Sequence, residues 1–402
     1  MRTAAATMCL FALCLIFPVG CPKGHPPTID ALGADYEAQL PPGQLALRKV
    51  TDPKAIPDFS AACADTAGLS ESIANSIDYL GRPSSKARFP YGQITHAQAL
   101  ASLKAFMALL DSGMTPAQMN DAIRRRFDVY VSVGCDNRGS MLFTGYYTPI
   151  FDASGTRTDR FRYPLYSPPA GMVKNPEGAP VSPMPDRRAI ETSNMYAGSE
   201  LVWLADPFEA YVTQIQGSAR LHMTDGKEIT VGYAANNGYE YKSVRAEMVK
   251  DGKIEKYAGL QAMISYFRAH PNEVTQYTWR NPRYVFFTTV PDGRPRGSLG
   301  APVTTRRTIA TDKKIFPPAC LAFVAPSGKA NGEGVIKPVF ACDQDTGGAI
   351  RAAGRCDLYL GVGKEAGDLA GRTLEEGKLY YVFLKAAPAP SLAPVANGRS
   401  AN

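Results

Sequence analysis

Apolar residues recur every three or four positions between Thr95 and Phe127, which is the period of a helix with one buried face. Thr95 can cap a first helix that ends near Gly113, and Thr115-Pro116 can begin a second. We therefore predict two consecutive helices. Their buried faces carry Leu100, Leu103, Phe106, Met107 and Leu110 in the first helix and Met119, Ile123 and Phe127 in the second.

After these helices the pattern changes to the period of two that is typical of strands. Apolar residues alternate from Val129 to Val133, Asp136-Asn-Arg-Gly139 has turn composition, and a second run follows from Met141 to Tyr147. We predict a β-hairpin here, with its two strands paired to each other.

The middle of the chain, from about Pro149 to Pro282, predicts further short strands. They include Glu209 to Gln216 and Ile229 to Tyr233, and they are interrupted by two helices. One helix is capped by Ser243, and the other carries Leu260, Met263, Ile264 and Phe267.

A third β region runs from Tyr284 to Leu384. Its apolar runs at residues 320–324, 335–341 and 379–384 are separated by turns rich in proline and glycine. Short strands with such turns predict a small closed barrel.

The composition agrees with a folded, mainly β protein. Of the 402 residues 45% are hydrophobic and 20% charged, and the 36 glycines and 32 prolines favour a turn-rich architecture. The net charge of +7 is too small and too dispersed to indicate a nucleic-acid partner. We predict two domains with a few peripheral helices.

The two ends of the chain have other signatures. Residues 1–21 have one basic residue, a short apolar run and small residues before Cys21, which predicts an export signal. Val19-Gly20-Cys21 is similar to the lipidation motif of bacterial lipoproteins, although Pro18 departs from it, so lipidation and plain cleavage both stay open. Residues 22–60 are predicted to be a tether and residues 386–402 a disordered tail.

Five cysteines lie beyond the signal region. An odd number in an oxidising compartment suggests one or two disulfides, and two of Cys320, Cys342 and Cys356 are candidates to pair. A metal site is the weaker interpretation, because there is no Cys-x-x-Cys pair and the four histidines are scattered.

Candidate chemistry lies in the last β region. Asp345 and two glycines follow the apolar run Val339-Phe-Ala-Cys342, and Asp357 opens another strand, so a barrel could bring the two acids together. A carboxyl group shielded by apolar neighbours has a raised pKa and can protonate a glycosidic oxygen. On the pattern alone, a structural role for both aspartates in turns and caps is the stronger interpretation.

A resemblance to a known family adds to this pattern. Ala310-Thr-Asp312-Lys-Lys-Ile-Phe-Pro-Pro318, Asp345-Thr-Gly-Gly-Ala-Ile350 and Asp357-Leu-Tyr resemble the three aspartate signatures of the 3D domain, a double-psi β-barrel. Four upstream segments are similar, in order and spacing, to the membrane-bound lytic murein transglycosylase A family: Phe143-Thr-Gly-Tyr-Tyr-Thr-Pro149, Ile215-Gln-Gly-Ser218, residues 232–243, and Asn281-Pro-Arg-Tyr-Val-Phe-Phe287.

The resemblance implies a specific architecture. A double-psi β-barrel domain is expected from residues 61–149 and 288–385, and an inserted second β-barrel domain from residues 150–287. The groove between the domains is expected to take the glycan strands of peptidoglycan.

The resemblance also implies roles for the aspartates. Asp357 would be the only acid and base, Asp345 would support it, and Asp312, Gly347 and Gly348 would be structural. The reaction would be an exo- or endo-acting lytic transglycosylation that leaves 1,6-anhydromuramic ends, with no metal and no organic cofactor. We expect a monomeric outer-membrane lipoprotein that faces the periplasm, or a periplasmic enzyme if Cys21 is not lipidated.

Substrate contacts are expected from both domains. The candidates are Thr144, Gly145, Tyr146 and Tyr147 near the domain junction, and Gln216, Gly217, Ser218, Asn237, Tyr241 and Ser243 in the insert. At least one of the two tyrosines of the pair at 146–147 is expected to pack in the core.

Two rivals and two departures remain. The rivals are a hydrolase with Asp345 as second carboxylate, and a glycan-binding protein that uses the same barrel without bond cleavage, as expansin-like proteins do. The departures from the family pattern are Cys356 beside the expected catalyst and the long proline-rich stretch from Ser167 to Arg188.

Overall fold

The structure, a computed structural model, describes residues 34–175, 180–255, 258–327 and 336–386. The predicted signal peptide, Cys21, the first part of the tether and the tail from residue 387 lie outside the described residues.

Fourteen strands are present in the described part of the chain: β1 Leu47–Lys49, β2 Phe127–Ser132, β3 Met141–Thr148, β4 Ile150–Ser154, β5 Tyr163–Tyr166, β6 Glu200–Leu204, β7 Ser218–Met223, β8 Glu228–Asn236, β9 Val285–Thr289, β10 Thr308–Ala310, β11 Leu321–Pro326, β12 Val339–Asp345, β13 Arg355–Val362 and β14 Leu374–Leu384. The α-helices are α1 Ser60–Cys63, α2 Leu69–Gly81, α3 His96–Leu110, α4 Pro116–Arg126, α5 Arg187–Thr192, α6 Pro207–Gln216, α7 Val244–Lys250, α8 Leu260–Ala269, α9 Val274–Thr278 and α10 Lys364–Arg372.

The first sheet closes on itself. Its strand order is β1-β2-β14-β11-β12-β10-β13-β3, and β14 also pairs with β3, which joins six of the strands into a ring. Two of its pairs, β10 with β12 and β13 with β3, are parallel, and the others are antiparallel. The closed barrel predicted for the last β region is therefore confirmed, with β3 contributed from earlier in the chain.

The second sheet is an insertion into the first. Its order is β5-β6-β4-β7-β8-β9, and all six strands lie in the chain between β3 and β10 of the barrel. The predicted fold class, mainly β with two barrel-like sheets and peripheral helices, is confirmed. The residue bounds predicted for the domains stay predictions.

Helices α1 to α4 cover the barrel and share its core. The core contains Ile73 from α2, and the rings of Phe59 and of Phe106 from α3 pack against Phe340 on β12. Helices α6 to α9 form a separate apolar cluster beside the second sheet. None of the helices in the described ranges is long and apolar enough to cross a membrane.

Capping residues predicted three helices correctly, and the spacing of apolar residues predicted a fourth. Thr95 caps α3, and Thr115 forms a capping box with Gln118 at the start of α4. Ser243 caps α7, and α8 carries the predicted apolar face with Met263 and Phe267 buried.

The predicted hairpin is wrong. The strands β2 and β3 follow each other through a turn but do not pair, because β14 lies between them. The first half of β14 pairs with β3, from Leu374 opposite Thr144 to Gly377 opposite Met141. Its second half pairs with β2. An eleven-residue strand can serve two partners in this way, and local turn composition does not indicate it.

The predicted strand from Glu209 to Gln216 is also wrong, because this segment is helix α6. Asp206 accepts hydrogen bonds from the amides of Phe208 and Glu209, Pro207 occupies the first turn, and Gly217 ends the helix at φ +76°. A further difference concerns β9, which was expected to open the third β region. It pairs with β8 and so belongs to the second sheet.

Part of the predicted tether is folded. Between residues 34 and 60, β1 pairs with β2, and Tyr36, Ala46 and Phe59 are buried. The Tyr36 hydroxyl donates to Glu376 on β14. A three-residue strand between irregular turns has no periodic signal, which is why the sequence did not indicate it.

The disulfides suggested by the cysteine count are absent among the described residues, where all five cysteines are free. Cys342 on β12 is registered with Leu321, so the neighbouring Cys320 points to the opposite face of the sheet. Cys356 lies on β13 beside β3, in register with Phe143. Proximity in sequence therefore did not bring these side chains into bonding geometry.

Candidate active site

Asp345 and Asp357 are brought together by the short strand β10. Ala310 is registered with Asp345 on one neighbouring strand and with Asp357 on the other. Registered residues on adjacent strands project to the same face of a sheet, so both carboxyl groups point to one side of the barrel. Two strand spacings separate their backbones by roughly 10 Å.

Asp357 lies in a shielded but accessible position. Its side chain is 17% exposed, and Thr144, its registered neighbour on β3, donates a hydrogen bond to Oδ1. Arg355 Nη2 lies 3.7 Å from the same oxygen and donates to Thr144 Oγ1 at 3.2 Å. Burial raises the pKa of Asp357, while Arg355 and Thr144 oppose the rise.

Asp345 is held by more partners. Its Oδ1 accepts from the amides of Ser298 (2.7 Å) and Thr346 (2.8 Å), and its Oδ2 accepts from the Tyr146 hydroxyl (2.8 Å). Burial raises the pKa of Asp345, and these three donors counteract it. Both oxygens of Asp345 are thus engaged, whereas Asp357 Oδ2 has no protein donor among the described residues.

The two aspartates lie in a cleft between the two sheets. The cleft encloses about 750 Å³, part of it open to solvent. From the barrel it is lined by Gly145, Tyr146, Ala310, Asp345, residues 346–350 and Asp357, and from the insert by Arg187, Gln214, Ile215, Gln216, Tyr241, Asn281, Arg283 and Val285. Of the predicted substrate contacts, Gly145, Tyr146, Gln216 and Tyr241 line it.

The other predicted contacts lie outside this lining. Tyr147 is 7% exposed, and its ring packs against Gly367. Asn237, 2% exposed, uses its amide to bind the backbone of Pro185, Pro282 and Tyr284. Gly217 ends α6, and the backbone conformation there suits glycine.

Ser218, Ser243 and Thr144 likewise have identified partners. The hydroxyl of Ser218 is 3.0 Å from that of Thr148, and Ser243 caps α7. Thr144 is not part of the cleft lining, and its hydroxyl donates to Asp357, which is. Substrate contact by the residues outside the lining stays a prediction that the geometry does not favour.

The signature residues around Asp312 have structural partners. Asp312 is 4% exposed and accepts from the amides of Lys314 (3.0 Å) and Ala352 (3.3 Å), which ties two loops of the barrel together. A Cβ on Gly348 would lie 3.0 Å from Cβ of Tyr241, so the lack of a side chain there lets the two sheets approach. At Gly347 the nearest atom would be from Ile350.

Several residues of the cleft were not predicted. Arg283 was contained in the segment Asn281-Pro-Arg-Tyr, but its charge was given no role. Arg187 is 1% exposed, forms a salt bridge with Glu191 and packs on the rings of Tyr211 and Tyr284. It lies in the proline-rich stretch, where no pattern marked it.

Comparison with known proteins identifies the family. The chain matches the MltA specific insert domain over residues 142–288 and the 3D domain over residues 307–383. It is 31% identical over 271 residues to membrane-bound lytic murein transglycosylase A of Escherichia coli K12, covering 65% of this chain and 70% of the relative. This chain belongs to the membrane-bound lytic murein transglycosylase A family.

Other members agree with the assignment. A homologue from Buchnera aphidicola is 28% identical over 276 residues, 67% of this chain and 74% of its own. The crystal structure of E. coli MltA with bound chitohexaose is similar with a TM-score of 0.65 and 26% identity, covering 88% of this chain and 98% of that chain.

The fold also agrees with a more distant structure. A membrane-bound lytic murein transglycosylase from Agrobacterium tumefaciens has a TM-score of 0.70 at 24% identity, covering 84% of this chain and 98% of that one. The predicted resemblance, and with it the prediction of an enzyme of the lytic murein transglycosylase A family, is confirmed. Within the described ranges no group of three or more His, Cys, Asp or Glu side chains is arranged to hold a metal ion.

Proposed function

We propose that the protein cleaves the β-1,4 bond between N-acetylmuramic acid and N-acetylglucosamine in peptidoglycan, with Asp357 as its only acid and base. The observation that carries this proposal is the unequal environment of the two aspartates. Asp345 has both oxygens engaged by protein donors, whereas Asp357 faces the cleft with one oxygen free of protein donors in the described part of the chain.

The first step uses the raised pKa of Asp357. Burial favours the protonated carboxyl, which gives its proton to the glycosidic oxygen as the bond from that oxygen to C1 of the muramic residue breaks. The N-acetylglucosamine residue that carries this oxygen leaves with a free hydroxyl group.

The second step uses the resulting carboxylate. Asp357 takes the proton from the C6 hydroxyl of the same muramic residue while O6 bonds to C1, which closes a 1,6-anhydro ring and restores the acid. The intramolecular hydroxyl replaces water because its effective concentration is high. Arg355 and Thr144 stabilise the carboxylate between the two steps.

The hydrolytic rival needs Asp345 to act as a base toward water. The backbones of Asp345 and Asp357 lie two strand spacings apart, roughly 10 Å, and this spacing leaves room for a water between the two carboxyl groups, so it does not exclude an inverting hydrolase. The argument against it is that both carboxylate oxygens of Asp345 already accept hydrogen bonds, from two amides and from the Tyr146 hydroxyl, so neither oxygen is free to take a proton from water. We assign Asp345 to the positioning of Tyr146 and of the loop at 346–350.

The lining of the cleft supports a glycan strand as its ligand. The E. coli relative was crystallised with chitohexaose, an oligosaccharide. Here Tyr146 and Tyr241 supply aromatic surface from opposite sides of the cleft, and Gln216 reaches across to accept from the amide of Tyr147 at 3.2 Å. Aromatic faces with a few polar groups are a common arrangement at ligand sites.

We further propose a place in the bacterial envelope, as the membrane-bound relatives suggest. Either lipid on Cys21 holds the enzyme to the outer membrane, facing the periplasm, or the cleaved enzyme is free there. The mass of the mature N-terminus distinguishes the two.

The deciding experiment is digestion of purified peptidoglycan with mass analysis of the products. We expect reducing ends that are lighter by one water than hydrolytic ends. Asp357→Asn should lower the rate at least about a thousandfold, since general acid and base steps both depend on this carboxyl.

Two further variants complete the test. Asp345→Asn should retain anhydro products at a reduced rate, and Asp78→Asn, at an exposed position on α2, should match the unchanged enzyme. Hydrated products, or full turnover by Asp357→Asn, would show that the proposal is wrong.

A further inference from the structure

Two arginines converge on Gly348 at the edge of the cleft. Arg283 comes from the insert and lines the cleft, and its Nε would lie 3.6 Å from a Cβ placed on Gly348. Arg351 comes from the barrel, and its Nε donates to the carbonyl of Gly348 at 3.3 Å. Each sheet therefore contributes one guanidinium to the same place.

This pair of positive charges lacks an acidic partner. Among the residues that the structure describes, neither Arg283 nor Arg351 forms a salt bridge, and Arg283 Nη1 donates instead to the carbonyl of Tyr239 at 3.0 Å. Burial, together with the nearby charge of Arg351, lowers the pKa of Arg283. Asp345 lies in the same cleft, but its oxygens are engaged by Ser298, Thr346 and Tyr146.

Arg187 provides a comparison, because it is a buried arginine whose partners are all within the insert. Its guanidinium is paired with Glu191 at 2.9 Å and also donates to the carbonyls of Asn281 and Arg283. Arg283 is half-buried with one such carbonyl partner, and Arg351 is exposed. Two like charges are thus held close together at the edge of the cleft, Arg283 partly desolvated in its lining and Arg351 exposed beside it. Such a pair favours an anion.

We infer that Arg283 and Arg351 form a binding site for a carboxylate carried by the muramic residues of the bound strand. This inference rests on the proposed function, because it takes a peptidoglycan strand as the ligand of the cleft. A guanidinium presents parallel N–H donors that match a carboxylate in plane and spacing, and two of them around one anion add affinity and orientation. The site would select strands that carry carboxylates over neutral ones such as chitin fragments.

Two sources could supply the carboxylate. One is the lactyl group of muramic acid, which is free where the stem peptide has been removed, and the other is the stem peptide itself. Three ligands separate them: chitohexaose without carboxylates, peptide-free strands with lactyl carboxylates, and strands with intact stem peptides.

The test measures binding alone, in the Asp357→Asn background, so that it does not depend on the products of the reaction. We expect the double variant Arg283→Gln and Arg351→Gln to lose about tenfold in affinity for a carboxylate-bearing strand. Its affinity for chitohexaose should change much less, and the selectivity should weaken as ionic strength rises. If the double variant loses affinity for peptide-free strands, the bound carboxylate is that of the lactyl group. If it loses affinity only for strands with intact stem peptides, the bound carboxylate belongs to the stem peptide.

Controls make the inference falsifiable. Arg351→Gln alone, at an exposed position, should show part of the effect without disturbing the fold, and Arg125→Gln, exposed on α4, should show none. Equal losses for all three ligands, or no loss for any, would overturn the inference. Hydrated products from the active enzyme would instead overturn the proposed reaction and leave this binding result standing.

Discussion

Arg355 is the residue that most directly adjusts the acid at position 357. Its side chain is 11% exposed and lies between Asp357, Thr144 and Glu37. Because its positive charge lowers the pKa of Asp357, Arg355→Gln should raise that pKa. The reaction starts from protonated Asp357, so activity falls as pH rises through this pKa. The alkaline limb of kcat/KM should therefore move to higher pH in the variant.

The controls for Arg355 come from its own contacts. Arg355→Lys keeps the positive charge, so the alkaline limb of its kcat/KM profile should lie close to that of the wild-type enzyme. Arg355→Gln should also lose about tenfold in kcat, because the Asp357 carboxylate loses a stabilising charge. Glu37→Gln changes only the far, exposed partner and should leave the limb in place. An unshifted limb in Arg355→Gln would contradict this role.

Single residues were predicted from the sequence only where a motif marked them. Asp345 and Asp357 stand in short signatures, and the structure brings them to one face. Arg355 and Arg283 have their roles through residues far away in the chain, Thr144 and Gly348 respectively, and spacing does not reveal such neighbours. Cys356 is buried and in register with Phe143, so it does not disturb Asp357 through a disulfide.

At the scale of elements, helix α6 carries an unusual acid. Burial, with the charges of Asp206 and Asp152, raises the pKa of Glu209 from 4.5 to about 7. Between pH 4.5 and about pH 7, Glu209 is therefore protonated in the folded state but ionised in the unfolded state. Stability from this group is highest below pH 4.5 and falls as pH rises to about 7.

Glu209→Gln tests this dependence. In the wild-type protein we expect Glu209 to make the free energy of unfolding roughly 1 kcal/mol smaller at pH 8 than at pH 5, a modest difference because the side chain is partly exposed. In Glu209→Gln this pH-dependent difference should disappear. Urea unfolding at both pH values measures it. Equal pH dependence in the two proteins would mean that Glu209 does not titrate in this range.

The same helix shows why some elements were predicted and others were not. Capping residues identified α3, α4 and α7, because their side chains bond the first free amides of the helix. Helix α8, which has no side-chain cap, was identified by its apolar face. In α6 the segment from Glu209 to Gln216 was predicted as a strand, although Asp206-Pro207 and Gly217 are helix start and stop signals. In this segment the signals at the two ends were a better guide than the residues between them.

At the scale of the molecule, closure of the barrel followed from strand count and turns, but its pairing did not. The position of β14 between β2 and β3 depends on contacts between residues more than 200 positions apart, which no local pattern encodes. The same holds for the cleft, since its two walls come from separate sheets. The resemblance to the family implied a groove between two domains, but it did not indicate which side chains meet across it.

The two sheets are joined by a chain of buried hydroxyl groups. Thr148 ends β3 of the barrel, and its Oγ1 lies 3.0 Å from the hydroxyl of Ser218 on β7 and 2.9 Å from that of Tyr359 on β13. The ring of Tyr359 is 5.2 Å from that of Tyr146, which bonds Asp345. The junction between the sheets is therefore connected to the catalytic side of the cleft.

Thr148→Val should disconnect this junction, because valine keeps the shape and removes the hydroxyl. Two buried hydroxyl groups would lose a partner, at a cost of about 1–3 kcal/mol of unfolding free energy. Since the cleft walls come from different sheets, chitohexaose affinity should fall as well, whereas Thr148→Ser keeps the oxygen and should retain that affinity. Denaturant unfolding and binding titrations measure the two effects. If valine lowered stability but left affinity intact, the hydroxyl chain would stabilise the fold without setting the position of the two sheets.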